Sequence, residues 1–498
     1  MMTDRDKAAV ATNSRGPRGR DRPDGPGAGD GRGGIPLAKG RTVRIQIAGL
    51  SHSGEGVGRF RNFTIFVPYA VPGDTADVRI EEVHTNYARG ELAFVRSPSP
   101  NRVQPRCGLF YDCGGCQLQQ VDYRTQLVLK TKVVEDAVTR LGRLEGVDVK
   151  PCLGAKDPWY YRNKVQFPVG TTEGRLIVGC YAKGTHEIVP VEECAIQHQT
   201  NNRIMRESRI LAEKYNLPPY DEATGKGVLR HILSRVAAKT GQAMVVFVTA
   251  TRDLPQGRQI ADELMLLLPQ VVGVFQNINP ARTNVIMGPE TRLLAGQESI
   301  EDTIHVGGLY EDLRFKISPQ SFYQTNPEQT GLLYRQVLKY ADLTYRETVI
   351  DVYSGIGTIA LFLAQRAQKA YGIESVAEAV NDAKRNARLN RIENAEFLVG
   401  EAEKIMPQMR QGGVTPDLIV VDPPRKGCDE RVLRAMAEMH PKRIIYVSCN
   451  PATLARDLAA LARLGYRTTE VQPVDMFPMT GHVESIAQMR QEEIKKVG

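Results

Sequence analysis

The chain has no apolar run long enough to cross a bilayer. Its most hydrophobic stretch, Leu264 to Phe275, is short and interrupted by Pro269 and Gln270. That excludes a helical membrane protein and sets the expectation of a cytoplasmic protein with no membrane partner. The first residues lack the apolar centre of a secretory signal. The eight cysteines are therefore expected in a reducing compartment, where close spacing means metal binding or catalysis rather than disulfides. No internal repeat is present, which excludes solenoids and propellers. A strong charge bias is also missing. Lys plus Arg is 65 against 57 Asp plus Glu, a net charge of +8. This mild excess suits an RNA partner without demanding one.

What is present is length and an ordinary globular composition, 42% hydrophobic and 24% charged. At 498 residues the chain is too long for one ordinary domain. Residues 1–35 are Gly, Pro, Arg and Asp without an apolar pattern and are expected to be a disordered tail. Residues 36–98 alternate: Val43, Ile45 and Ile47, then Phe63 to Val67, Thr75 to Ile80 and Gly90 to Val95. Turns at Ser53 to Gly56 and Pro72 to Asp74 separate them. Short alternating strands with such turns predict a small β-barrel of the OB type. Residues 99–317 form a central region that opens on a cysteine-rich segment, 107–116. A helix is predicted from Tyr123 to Leu141, and strands follow. Trp159, Tyr160 and Tyr161 stand there beside Arg162 and Lys164. Such aromatics can stack on displaced bases or fill a core. In residues 318–498 strands and helices alternate, which predicts a doubly wound α/β domain with a mostly parallel sheet.

That last region carries the chemistry. Asp351-Val-Tyr-Ser-Gly355-Ile-Gly357 ends a strand and opens a helix, and Glu374 follows 23 residues after Asp351, at the end of the next strand. An acidic side chain there can accept both ribose hydroxyls of a nucleoside. The third glycine of a full dinucleotide fingerprint is absent, with Ala360 in its place, so the turn alone is a weak signal. Asp422-Pro-Pro-Arg425 at the end of the fourth strand favours S-adenosylmethionine over a nicotinamide. Amino-group methyltransferases tend to close this motif with an aromatic. Arg425 and Lys426 stand here instead, and cations beside a developing enolate favour methylation at carbon.

Ser448-Cys449-Asn450-Pro451 ends another apolar strand, and Gly481-His-Val-Glu484 lies about thirty residues on. Carbon 5 of uracil is a poor nucleophile. A thiolate adding to carbon 6 converts the ring to an enolate whose carbon 5 attacks a methyl-sulfonium. A carboxylate must then remove the carbon 5 proton. Cys449 and Glu484 are the candidates for these two roles, with Cys428 as a rival nucleophile. Separately, Cys107-x5-Cys113-Gly-Gly-Cys116 places three thiols in one loop. Cys194 is the best fourth ligand, with Cys152 and Cys180 as alternatives. Four cysteines suit zinc or a [4Fe–4S] cluster.

In combination these motifs resemble the RlmD/RumA family of bacterial 23S rRNA uracil-5 methyltransferases, close to its dual-site RlmCD branch, from about residue 36 onward. The resemblance implies a TRAM barrel, carried by Gly54-Glu-Gly-Val-Gly58 and Val71-Pro-Gly-Asp74, ahead of a central region and a Rossmann-like catalytic domain. It implies iron–sulfur rather than zinc, with Cys107, Cys113, Cys116 and Cys194 as ligands. Ser321-Phe-Tyr-Gln324-Thr-Asn326 matches the family's Ser-Phe-Phe-Gln-Val-Asn with two substitutions. Gln324, Tyr353, Glu374 and Asp422 are then implied as S-adenosylmethionine ligands. Cys449 is implied as nucleophile and Glu484 as proton acceptor. The implied substrate is 23S rRNA and the chain is expected to act as a monomer. Two other readings stand beside this one. tRNA uracil-5 methyltransferases share the catalytic domain but usually lack the barrel and the cysteines. A non-catalytic RNA-binding or assembly factor is a reading of another class. A radical methylase is disfavoured, because its Cys-x3-Cys-x2-Cys spacing is absent.

Overall fold

Alternation in the first described segment produces a closed barrel in the computed structural model, which describes residues 37–492. The expected tail lies outside the described residues. Val43, Ile45 and Ile47 of strand Thr42–Leu50 point inward and their polar neighbours outward. The strand order is Thr42–Leu50, Gly56–Phe60, Phe63–Val67, Tyr87–Ser97, Thr75–Val83. Closure leaves no free edge. One strand, Gly56–Phe60, goes beyond the sequence reading, which took its first residue as part of a turn. Its glycines are there for close packing. A Cβ at Gly56 would meet the Ala70 carbonyl oxygen at 2.7 Å, and one at Gly58 the Ile45 Cδ1 at 2.7 Å.

The central region builds a seven-stranded sheet in the order Glu290–Gly296, Val271–Ile278, Ala243–Thr249, Leu229–Val236, Lys164–Thr172, Arg175–Tyr181, Ile188–Pro190. Leu229–Val236 and Ala243–Thr249 are buried at every residue, the second as a nearly continuous apolar run and the first with Arg230, His231, Ser234 and Arg235 buried among its apolar residues. Helices Gln199–Lys214 and Gly257–Leu267 pack on this sheet. The predicted helix Tyr123 to Leu141 is α-helical over Tyr123–Asp136 and ends in a π-turn over Ala137–Leu141. The chain then runs into the edge of the last sheet as Asp148–Val149.

That last sheet has eight strands, in the order Ala395–Val399, Lys369–Glu374, Thr348–Val352, Leu418–Val421, Arg443–Ser448, Glu484–Gln491, Tyr466–Val474, Asp148–Val149. The first five run parallel, and Glu484–Gln491 pairs antiparallel to the fifth. This is the doubly wound arrangement the alternation predicts. Its order reverses at Thr348–Val352, where ligands bind outside the carboxyl ends of such strands. No helix among the described residues is long and apolar enough to cross a membrane.

Candidate active site

Two strands that meet antiparallel bring together the two residues expected to do the chemistry. Ser448 pairs with Ser485 at the end of the ladder. The next residues on the two chains, Cys449 and Glu484, therefore face each other where pairing stops. Cys449 is half-buried and sits directly before helix Pro451–Arg463. Asn450 caps that helix by accepting from the Ala452 amide at 3.0 Å, and Pro451 presets its first turn. Glu484 is 5% exposed. Burial, then the charge of Asp422, pushes its carboxyl up to about 8, against Arg425, which lowers it. Burial, then Glu484 and Asp422, pushes the Cys449 thiol up to about 12, and Arg425 again opposes. Burial raises Asp422 to about 6. Arg425, on the exposed loop after Asp422, is thus the cation that favours both the thiolate and the carboxylate, and its Nη2 lies 3.4 Å from His482 Nε2.

The cofactor candidates converge on the same strand ends. Glu374 accepts from the Gly355 amide at 3.1 Å and from the Val376 amide at 2.9 Å. Its carboxylate is thereby held over the glycine turn. Tyr353 sits at φ +66°, a left-handed backbone uncommon outside glycine and characteristic of functional turns. Asp351 accepts from the Ala360 amide at 2.9 Å, while its other oxygen and the Ser354 hydroxyl are buried without a partner. Gln324 is buried, and its carbonyl accepts from Asn163 of the central region at 3.2 Å. Tyr334 escaped the sequence reading. It lies on helix Pro327–Ala341, bonds the Thr358 hydroxyl at 2.9 Å, and feels the charges of Asp422, Asp351 and Glu484. Nothing in its sequence context marks it, because it is one apolar position of an amphipathic helix. Three carboxyls raised chiefly by burial, Asp351, Asp422 and Glu484, with an unpartnered Asp351 oxygen and Ser354 hydroxyl, fit a ligand that is cationic and rich in hydroxyls. A sulfonium nucleoside has both properties.

The comparisons with known proteins identify the family. Residues 276–491 match the tRNA (Uracil-5-)-methyltransferase family and residues 36–93 the TRAM domain. An uncharacterized RNA methyltransferase of Halalkalibacterium halodurans is 48% identical over 452 residues, spanning 91% of this chain and 97% of its own. One of Clostridium tetani is 47% identical over 455 residues, spanning 91% and 97%. The chain belongs to the RNA (uracil-5-)-methyltransferase family. Among solved structures, the tRNA (uracil-54, C5)-methyltransferase of Pyrococcus abyssi in complex with S-adenosyl-L-homocysteine superposes with a TM-score of 0.70. It is 29% identical and covers 90% of this chain and 99% of its own.

In this methyltransferase the segment leading to Glu484 is clamped from three sides. Asp475 and Lys130 form an ion pair at 2.5 Å, both sealed from solvent. Tyr123 donates to the same carboxylate at 2.9 Å, and Lys130 also reaches the Phe477 carbonyl at 3.2 Å. Tyr161 donates to the Pro478 carbonyl at 3.0 Å, so this aromatic anchors the catalytic loop rather than standing open to a base. The amides of Gln117 and Leu118 both donate to the Met479 carbonyl at 3.0 Å. The barrel closes the third side, where a Cβ on Gly481 would come within 2.6 Å of the Gly54 nitrogen. Replacing Lys130 with methionine leaves the Asp475 charge buried and unpaired. Urea unfolding should then show a loss of about 3–5 kcal/mol, largely restored by a second change, Asp475→Leu.

The thiols sort into three groups. Cys107, Cys116 and Cys194 pack in one small core with Phe110, Ile196 and Met479. Cys113 and Cys180 lie beside them, in contact with each other. Among the described residues no three such side chains are set to hold a metal ion as they stand, and all the cysteines are free. The expectation of an iron–sulfur cluster thus has the gathered thiols behind it and no formed centre. Cys152, one alternative ligand, stands apart. Its amide bonds the Thr131 hydroxyl and its thiol senses the Asp475–Lys130 pair. Cys428, the rival nucleophile, is 6% exposed and takes a hydrogen bond from Tyr446 at 3.5 Å. Burial pushes its thiol up to about 12. It packs in the apolar core, beside Tyr353. A cavity of about 480 Å³ opens elsewhere, against the central sheet among Tyr181, His186, Tyr220, Arg230 and His231. It shares no lining residue with the catalytic strand ends.

Proposed function

We propose that the protein methylates carbon 5 of uridine in 23S rRNA, using S-adenosylmethionine and a transient bond between Cys449 and carbon 6 of the uracil. The observation that carries this reading is the pairing register that sets Cys449 opposite Glu484, beside Asp422. Cys449 adds to carbon 6 and the ring becomes an enolate, whose charge Arg425 stabilises from the exposed loop. Carbon 5 then attacks the methyl group of S-adenosylmethionine, held by Gln324, Tyr353, Glu374 and Asp422, and the sulfur–methyl bond breaks to leave S-adenosylhomocysteine. Glu484 removes the carbon 5 proton, the Cys449–carbon 6 bond breaks, and 5-methyluridine leaves.

The target uridine must leave its stack to reach a half-buried thiol, at a cost of a few kcal/mol. Phosphate contacts from lysine and arginine side chains offset that cost, so RNA affinity should fall as salt is raised in a filter-binding titration. The donor set Cys107, Cys113, Cys116 and Cys194 suits a [4Fe–4S] cluster, because three thiolates on a glycine-containing loop and a fourth from Cys194 can each take one corner iron. Such a cluster would act as a structural clamp, since none of the steps above transfers an electron. The chemistry and the spacing of the cysteines support a cytoplasmic protein.

The test is direct. Incubation with labelled S-adenosylmethionine and unmodified 23S rRNA should place label on carbon 5 of uridine, and mapping in cells with and without the protein should locate the position or positions. Label on tRNA alone would establish the second reading, a tRNA uracil-5 methyltransferase. The Pyrococcus abyssi tRNA enzyme, which covers 90% of this chain, supports that reading. The barrel and the cysteine loop, by family resemblance, support rRNA, and mapped sites at two positions would assign the dual-site branch.

A further inference from the structure

Five cysteines gather where a cluster needs four. The fifth, Cys180, touches Cys113, and the backbone explains why. Cys113 forms an isolated antiparallel bridge with Ala182, and the Gly114 amide donates to the Tyr181 carbonyl at 2.9 Å. Side chains two residues apart on a strand share a face, so Cys180 points to the side on which Cys113 lies. The two thiols are in hydrogen-bonding contact. Both are partly exposed, whereas Cys116 is buried. An oxidant therefore reaches this pair more readily than it reaches Cys116.

The same loop grips the catalytic segment. Gln117 and Leu118, directly after Cys116, hold the Met479 carbonyl, and the Gln117 side chain accepts from the Gly481 amide at 3.4 Å. Gly481 stands three residues before Glu484. Any change that pulls Cys113 out of its ligand position therefore acts on the loop that ends in the proton acceptor.

We propose that Cys180 is a reserve thiol that captures Cys113 as a disulfide under oxidation, opening the cluster site and loosening the Glu484 loop. This rests on the reading of Cys113 as a cluster ligand. The step balances with a hydroperoxide as oxidant. The Cys113–iron bond breaks, the freed Cys113 thiolate and the Cys180 thiol give up two electrons and one proton, a sulfur–sulfur bond forms, and hydrogen peroxide takes these with one further proton from solvent to become two waters. A thiol reductant reverses it. The disulfide shields Cys113 from irreversible oxidation, so the cluster can be rebuilt afterwards.

The experiment uses the full-length protein purified without oxygen, treated with hydrogen peroxide, alkylated and digested with trypsin. The expected product links peptide 107–124 to peptide 176–183, with a loss of two hydrogens and a fragment series that places the bond on Cys113 and Cys180. Iron and visible absorption fall as the link forms. After reductant, iron and sulfide, wild type recovers its absorption while Cys180→Ser recovers several-fold less. Three results would overturn the proposal: Cys180 stays alkylatable while Cys113 pairs with Cys107, Cys116 or Cys194; wild type and Cys180→Ser recover equally; or untreated Cys180→Ser has already lost its iron, which would make Cys180 a ligand. Should the purified protein carry no iron and still form the Cys113–Cys180 link, the cluster reading fails and the thiol pair stands.

Discussion

Replacing Cys449 with alanine should abolish methyl transfer, with a fall on the order of 10⁴–10⁶-fold in single-turnover rate. The size follows from the chemistry, because without addition at carbon 6 there is no enolate and carbon 5 has almost no nucleophilicity. Affinity for RNA and for S-adenosylmethionine should hardly change, since Cys449 contributes no charge to the free site while its thiol lies near 12. Transcripts carrying 5-fluorouridine should trap the wild-type protein as a denaturation-resistant adduct, because fluorine cannot leave as a proton does. Cys449→Ala should trap nothing, whereas Cys428→Ala should trap as well as wild type if it folds. Retention of 5-methyluridine formation by Cys449→Ala would end the covalent reading. A merely RNA-binding factor would lose no function on this change.

Changing Glu484 to glutamine should slow turnover by about 10²–10⁴-fold while sparing the steps before it. The methylated covalent complex should then accumulate on natural RNA, visible as a band shift on a denaturing gel. The pH profile gives a second readout. Glu484 accepts a proton only when ionised, and burial beside Asp422 holds it protonated up to about pH 8. Wild-type turnover should therefore climb with pH through about 8 as Glu484 ionises, and Glu484→Gln should lose that part of the climb while keeping the rise that belongs to the Cys449 thiol. The stability consequence has the opposite sense. The folded carboxyl binds its proton more tightly than the unfolded one, so this contribution is complete below about pH 4.5. It is lost as pH rises through about 8. Glu484→Gln should remove that dependence from the melting curve.

Much of the last sheet was legible because its strands are short and mostly apolar, Leu418–Val421 wholly so, and buried parallel strands have that pattern. Thr348–Val352, Ala395–Val399 and Leu418–Val421 follow the strand–helix alternation predicted for residues 318–498. The helix Ala377–Leu389 does so as well, its apolar stripe being as periodic as its charged one. Gly56–Phe60 was less legible, since glycine in a strand reads as a turn until the neighbour that requires it is known. Asp148–Val149 was invisible, because two residues carry no period and the strand exists only by pairing with Glu470 and Val471. Tyr334 and Lys130 were missed for a related reason. Each sits on a helix at a position that local pattern assigns to packing or to solvent.

The sequence by itself determined which chemical groups this protein owns: a thiol and a carboxylate at strand ends, a glycine turn with an acidic partner, and a knot of cysteines on a short loop. Local rules suffice for that, because turns, caps and apolar periods are written in neighbouring residues. Only the tertiary structure decided which of these groups meet. The antiparallel register sets Glu484 against Cys449, the buried Lys130–Asp475 pair fixes the segment between them, and the bridge at Ala182 brings Cys180 to Cys113. Those contacts join residues 35 to 345 positions apart or cross between sheets, and no local preference encodes them.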